Sequence, residues 1–313
     1  MSVPERQLAK TVLMIRPVAF RSNPQTAGSN QFQAAPGSVA RVLEQRAAST
    51  QFQGLVDTLR AAGVAVVVEP DRPDPDTPDS IFPNNWITFH ADGTVVFFPM
   101  MAPNRRAEVR PDIVERLSKD RGYRVDRVID MTAQADSGHF LEGTGSLVLD
   151  RPNRIAYAAV SPRTTIEGLA EFGQRLEYEI VAFEALDRDG HQIYHTNVMM
   201  SVGDDFAVIC DTTIRDPAQR QAVLRKLKDT GHEIITIDEA QMRCFLGNCL
   251  QLEATDGSRL IAMSRQAEEA LTEEQAAILR RHGRIVSSPI HDIERSAGGS
   301  VRCMLAEIHL PRR

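Results

Sequence analysis

The sequence predicts one α/β domain, a five-bladed propeller of ββαβ units closed around a central channel. Three observations carry this reading. A pattern of helix, glycine, strand, loop and β-hairpin recurs five times at an interval of roughly 50 to 60 residues, slightly above the range of common repeat proteins. The apolar, β-branched segment Thr11–Pro17 has no hairpin partner beside it, and it can supply the strand that the last hairpin, near Cys303, lacks. No linker is long enough to divide the 313 residues, although length alone would allow two domains. Closing the ring hides strand edges that an open sheet would expose. An open doubly wound sheet is the alternative, and the hairpins between successive helices count against it.

In chain order, Thr11–Pro17 reads as a buried strand and Arg21–Gln33 as a polar loop rich in Asn, Gln and Ser. Such a loop is ordinarily solvated, but its length keeps it as a candidate lid. Gln51–Ala62 sets Phe52, Leu55, Val56 and Leu59 at helical spacing before Gly63, and Val64–Glu69 follows as a strand. Ser80–His90 and Thr94–Pro99 then form a hairpin around Ala91-Asp92-Gly93. The cycle returns as the helix Arg106–Lys119, the strand Tyr123–Ile129 and the hairpin Gly145–Asp150 with Ile155–Val160. Next come Ile166–Leu176, Tyr178–Phe183, and His195–Val202 with Phe206–Asp211. Pro217–Asp229 follows, with Asp216 placed to cap it and proline tolerated in its first turn, then Glu233–Ile237 and the pair Cys249–Glu253 and Arg259–Met263. Glu273–Arg281, Arg284–Ser287 and a strand Val301–Leu310 behind Gly298-Gly299 complete the chain.

The formal net charge of −6, with scattered basic residues, argues against nucleic acid or an anionic membrane as partner. No apolar run is long enough to span a bilayer, and Met1–Arg6 has no apolar region behind its charge, so a cytoplasmic location is expected. Four cysteines do not make a disulfide scaffold. Cys244 and Cys249 lack a second ligand pair, so no metal is expected, and with Cys210 they read as packing residues. The sequence leaves open whether the chain forms a homo-oligomer.

Function is read from convergence. Asn85, Glu142, His195, Asn248 and Cys303 fall at or near the start of the hairpin in their own repeats, and equivalent positions in a ring meet on its axis. A thiol needs a cation or hydrogen-bond donors to become a useful nucleophile at neutral pH. Cys303 is therefore the candidate nucleophile, with His195 as an imidazolium that stabilises the thiolate and as general acid and base, and Glu142 either orienting and charging the imidazole or hydrogen-bonding substrate N–H groups. Each residue alone has a plainer reading: a turn carboxylate, a strand-end histidine, a packed thiol. Their shared placement favours the catalytic one.

These segments, in the order Glu, His, then Gly-Gly-x-x-x-Cys, resemble the guanidine-modifying superfamily, the penteins. Met14–Phe20, Phe82–Trp86 and Gly298–Cys303 look most like the bacterial citrulline hydrolases within it, and the resemblance runs from about Thr11 to Leu310. It implies the pentein fold and a small amino-acid substrate of the citrulline or arginine type, attacked by Cys303 without metal or organic cofactor. Asn84 and Asn85 stand where arginine deiminases carry Arg-Asp, and Asn197 where they carry a second Asp. A buried guanidinium without carboxylate partners is costly, whereas a neutral urea needs the mixed donors and acceptors that amides supply. The expected reaction is thus hydrolysis of L-citrulline to L-ornithine, ammonia and carbon dioxide. A plain turn at Asn84-Asn85 is disfavoured by the strand expected directly behind it. Arg163, in Ser161-Pro-Arg-Thr164, and Asp79 and Phe82 join the substrate-binding set on the resemblance. The rivals are arginine or dimethylarginine hydrolysis, amidino transfer, and a non-catalytic propeller that binds an amino acid.

Overall fold

Residues 5–37 and 40–313 are described by the computed structural model. Met1–Pro4, part of the segment read for a leader, lie outside them. The repeats fold as five three-stranded sheets, each with the same wiring. A short strand pairs antiparallel with the next, a helix crosses over, and a third strand returns parallel to the second. The first full unit uses Ile87–Phe89, Thr94–Phe97, the helix Pro111–Lys119 and Arg127–Asp130. The second uses Val148–Asp150, Ile155–Ala159, the helix Ile166–Leu176 and Glu179–Phe183. Met200–Val202, Phe206–Ile209, the helix Pro217–Asp229 and Glu233–Thr236 form the third. Leu250–Glu253, Arg259–Ser264, the helix Glu273–His282 and Arg284–Ser288 form the fourth.

The fifth unit is assembled from both chain ends, as expected. Ala306–Glu307 pairs antiparallel with Thr11–Arg16, in the register Val12 opposite Glu307, and Thr11–Arg16 pairs parallel with Ala65–Pro70. The crossing element is the helix Arg41–Ala61. Between units the short first strands meet: Met200–Val202 touches both Val148–Asp150 and Leu250–Glu253, and Ala306–Glu307 touches Ile87–Phe89. Each crossover helix packs on its sheet with apolar residues such as Leu169, Phe172 and Leu176. Asp216 accepts from the backbone N–H of Ala218 at 2.7 Å and of Gln219 at 3.2 Å, the expected cap.

Four expectations need correction. The helix expected from Gln51 starts at Arg41, because Glu44 and Ala48 face inward ahead of Phe52 and a buried carboxylate breaks the apolar pattern. The helix expected over Arg106–Lys119 is two pieces, Pro103–Arg106 and Pro111–Lys119, since Pro111 pushes Arg110 into extended backbone and restarts the helix. The strand expected from Tyr123 begins at Arg127, Tyr123 making only an isolated bridge to Arg312. The hairpins expected to begin at Ser80, Gly145, His195 and Val301 instead open with one helical turn: Pro83–Asn85, Gly143–Ser146, Thr196–Met199 and Val301–Met304. Only then does the strand start.

Candidate active site

Those helical turns carry the chemistry. Cys303 lies on the turn Val301–Met304, not on a strand, its N–H donating to Ser300 O at 3.0 Å. Asn248 holds the same turn from the neighbouring unit, accepting from Arg302 N at 3.1 Å. Two amides then point at the sulfur: Asn248 Nδ2 at 3.3 Å and Asn197 Nδ2 at 3.4 Å from Cys303 Sγ. Both are side-chain donors on buried residues.

His195 caps the turn Thr196–Met199 and bonds through Nε2 to Glu142 Oε2 at 2.8 Å. The carboxylate fixes the proton on Nε2 and leaves Nδ1 basic. Glu142 Oε1 accepts from the N–H of Met101 at 3.0 Å. Burial would push Glu142 up, but Arg163, the His195 hydrogen bond and Arg105 outweigh it and hold the carboxyl well below its usual range. Burial pushes His195 down to about 4, with the Glu142 bond opposing and the two arginines adding to the fall. The imidazolium expected from the sequence is therefore disfavoured at neutral pH, and the groups set against the Cys303 sulfur are the Asn197 and Asn248 amides.

A pocket joins these groups, walled by Cys303, His195, Tyr194, Asn85, Phe82, Asp79, Arg105, Arg163, Asn30, Ala297 and Gly299. Its free room is ≈ 10 Å³, about that of a single water. Of the sequence-predicted residues, Cys303, His195, Asn85, Phe82, Asp79 and Arg163 line it; Asn197 and Asn248 reach the sulfur, and Glu142 sits behind the imidazole. Asn84 is not brought to the pocket wall. Its carbonyl accepts from Thr144 Oγ1 at 3.4 Å, and neither amide atom finds a partner. Asn84 and Asn85 do form a turn before Trp86, the reading the sequence disfavoured, yet Asn85 still faces the cavity.

Arg105 is the residue that sequence reasoning missed. It is 2% exposed, forks onto Glu108 at 2.9 Å through Nε and Nη2, and donates from Nη1 to Asn85 Oδ1 at 2.9 Å. In Pro103-Asn104-Arg105-Arg106 it looks like a solvated surface arginine, and the only signal was Glu108 three residues on. The loop 21–33 was also underread. Asn23 Nδ2 donates to Asp79 Oδ2 at 2.8 Å, Ser29 Oγ and Thr26 O accept from Arg163 at 2.8 Å and 3.1 Å, and Asn30 Nδ2 donates to Ala297 O at 2.9 Å. The loop is folded over the pocket.

Asp187, Asp189 and His191 bring ligand atoms within 4.8 Å of one another on a surface loop, but Arg243 already approaches both carboxylates, at 3.4 Å and 3.5 Å. Cys210, Cys244 and Cys249 are free, and Cys249 shares a hydrogen with Ser201 at 3.0 Å. No helix among the described residues is long and apolar enough to cross a membrane.

The fold is shared with solved structures of low sequence identity. The N-terminal domain of ArgZ, an arginine dihydrolase of the ornithine–ammonia cycle in Cyanobacteria, matches with TM-score 0.73 at 16% identity, over 96% of this chain and 99% of that domain in a cysteine-to-serine variant bound to substrate. This chain spans 41% of the larger ArgZ chain solved without ligand and 40% of AgrE, solved with ornithine and NAD+. Dimethylarginine dimethylaminohydrolase (DDAH) from Pseudomonas aeruginosa, a cysteine-to-serine variant with citrulline, matches with TM-score 0.66 at 16% identity, over 96% of this chain and 100% of that one. No curated protein sequence matches the chain. Residues 16–310 match the family model described as N,N dimethylarginine dimethylhydrolase, eukaryotic. The chain therefore belongs to that family, within the guanidino-group-modifying superfamily of cysteine-dependent hydrolases of C–N bonds.

Proposed function

We propose that the chain is one domain whose five units close as a propeller, and that the pocket in its channel hydrolyses L-citrulline to L-ornithine, ammonia and carbon dioxide. The observation that carries the substrate reading is a pair of unpaired amide atoms. Asn85 Nδ2 and Asn197 Oδ1 are buried and have no partner, while the other end of each amide is engaged, by Arg105 and by Cys303. One free donor and one free acceptor beside a thiol match a neutral urea, which offers a carbonyl oxygen and N–H groups. A guanidinium offers only donors, and Asn85 Nδ2 would face it unpaired.

In the proposed mechanism the Cys303 thiol passes its proton to His195 Nδ1 as Sγ bonds to the ureido carbon, and the tetrahedral centre expels one nitrogen, which takes that proton from Nδ1. A thiocarbamoyl-enzyme remains. His195 Nδ1 then takes a proton from water, whose oxygen displaces the sulfur, and the released carbamate loses carbon dioxide to free the second amine. Glu142 keeps the imidazole in one tautomer throughout. Arg163 and Arg105, both buried at the pocket wall, are the cations available to the substrate carboxylate, and Asp79 Oδ1, which has no partner, is the acceptor available to its ammonium.

A second reading is arginine dihydrolysis, the activity named for ArgZ, in which the same site would take arginine through the ureido stage to ornithine. Product analysis separates them. With citrulline the enzyme is expected to form ornithine, with arginine neither citrulline nor ornithine, and Cys303→Ser is expected to abolish turnover and covalent trapping. Arginine consumed in preference would remove the citrulline reading, and turnover retained by Cys303→Ser would remove the mechanism.

A further inference from the structure

The turn that presents Cys303 is tied down by a carboxylate outside the pocket. Glu294, on the helix His291–Ala297, is 2% exposed. Its Oε1 accepts from Ser300 Oγ at 2.6 Å and its Oε2 from Gln266 Nε2 at 2.6 Å. Among the described residues it has no ion pair. Arg265 on the neighbouring helix is engaged by Glu268 at 3.9 Å, and Arg295 on its own helix by Asp292 at 3.0 Å. The Cys244 thiol, raised first by burial, also feels the Glu294 charge. A buried carboxylate without a cation is expensive to keep, and a neutral side chain would serve packing better.

Its bonds run to the nucleophile. Glu294 O accepts from Gly298 N at 2.8 Å, its side chain takes the Ser300 hydroxyl, and Ser300 O accepts from both Cys303 N and Met304 N. Between these anchors lie Gly298, at φ +63°, and Gly299, which have no side chains to hold the turn themselves. On the other side Tyr194, next to His195, donates its hydroxyl to Gly298 O. We infer that Glu294, acting through Ser300, is a positioning residue that fixes the Cys303 turn against the His195 segment. The inference rests on Cys303 being the nucleophile.

The ionised carboxylate accepts from both donors, one at each oxygen; protonation turns one oxygen into a donor that opposes Ser300 or Gln266. Burial pushes Glu294 up to about 7, so the turn is held best above that pH. The test reads two rates from pH 6 to 9: citrulline turnover, and alkylation of Cys303 by iodoacetamide followed on its own peptide. Ser300→Ala is expected to lower kcat and the alkylation rate about ten-fold with KM nearly unchanged, and Ser300→Thr to restore both. Glu294→Gln is expected to abolish the rise in both rates near pH 7. Unchanged rates and pH profiles in Ser300→Ala and Glu294→Gln overturn the inference, as does a loss that follows only the folded fraction measured by thermal unfolding. If citrulline is not the substrate, the wild type shows no turnover while the alkylation profile still decides the role of Glu294.

Discussion

Glu142 Oε2 carries three cationic or donor neighbours: His195 Nε2 at 2.8 Å, Arg163 Nη1 at 3.6 Å and Arg105 Nη1 at 3.7 Å. Burial, with the two arginines adding to it, disfavours a positive charge on the imidazole, which is why His195 stays a neutral base rather than an imidazolium. This has a measurable cost in acid. The unfolded chain binds a proton at His195 below about pH 6.5, the folded chain only below about 4, so the unfolded state holds more protons in that window and stability falls as pH drops through it. A shift of this size corresponds to about 3 kcal/mol. His195→Gln keeps a donor for Glu142 but cannot titrate. Urea unfolding is expected to show the wild type losing more stability than this variant between pH 7 and pH 4.5; parallel curves would mean that His195 is not the buried neutral group described.

At the scale of elements, the loop 21–33 occupies the polar ends of the pocket with its own groups. Thr26 and Ser29 take the Arg163 guanidinium and Asn23 takes Asp79, the two groups left for a substrate carboxylate and ammonium. With so little free room beneath it, the loop must open before an amino acid can enter. Asn30 Nδ2 to Ala297 O is one of its ties, and a single hydrogen bond is worth about 1 kcal/mol. Asn30→Ala is therefore expected to speed iodoacetamide labelling of Cys303 about five-fold at fixed pH. An unchanged rate would mean that the loop does not limit access. The loop was legible in the sequence as a long polar connection, but its bonds were not, because Asn, Thr and Ser read the same whether they face water or Asp79. The repeat and the Asp216 cap were legible because each depends on local spacing, and the split fifth unit because the repeat left one strand over at the start and one strand short at the end. The helical turns were not: Val198, Met199, Val301 and Met304 are fully buried, and apolar residues in a short run suit a turn or a strand equally. Gly145 shows the same limit, since a Cβ there would lie 2.4 Å from Asn85 Nδ2 and 2.8 Å from His195 Nδ1, a close approach of three units that spacing along one chain cannot reveal.

Across the whole molecule, the segment ahead of the first strand ties the units to one another. Gln7 Nε2 donates to Leu149 O at 2.9 Å and to Val202 O at 3.0 Å, one acceptor in the second unit and one in the third. Glu5 receives Arg151 Nη1 at 2.6 Å and Tyr178 OH at 2.8 Å from the second unit, and His90 of the first lies 3.3 Å away. Ala9 O accepts from Glu253 N in the fourth, and Arg151 approaches Glu307 of the fifth at 3.8 Å. Burial would raise the Glu5 carboxyl, but Arg151 and His90 outweigh it and hold it far below the ordinary range. Its contribution is thus full above the unfolded value of 4.5 and is lost as pH falls below it. Removing one partner strands a buried arginine, so Glu5→Ala is expected to cost about 3 to 5 kcal/mol at pH 7. Arg6→Ala, which breaks an exposed pair with Glu253, is expected to cost under about 1 kcal/mol. The gap between wild type and Glu5→Ala is expected to narrow by about 1.4 kcal/mol for each pH unit below 4.5. Urea unfolding at pH 7 and pH 3.5 measures all three, and a Glu5→Ala variant as stable as Arg6→Ala would mean that the five units hold together without this clasp.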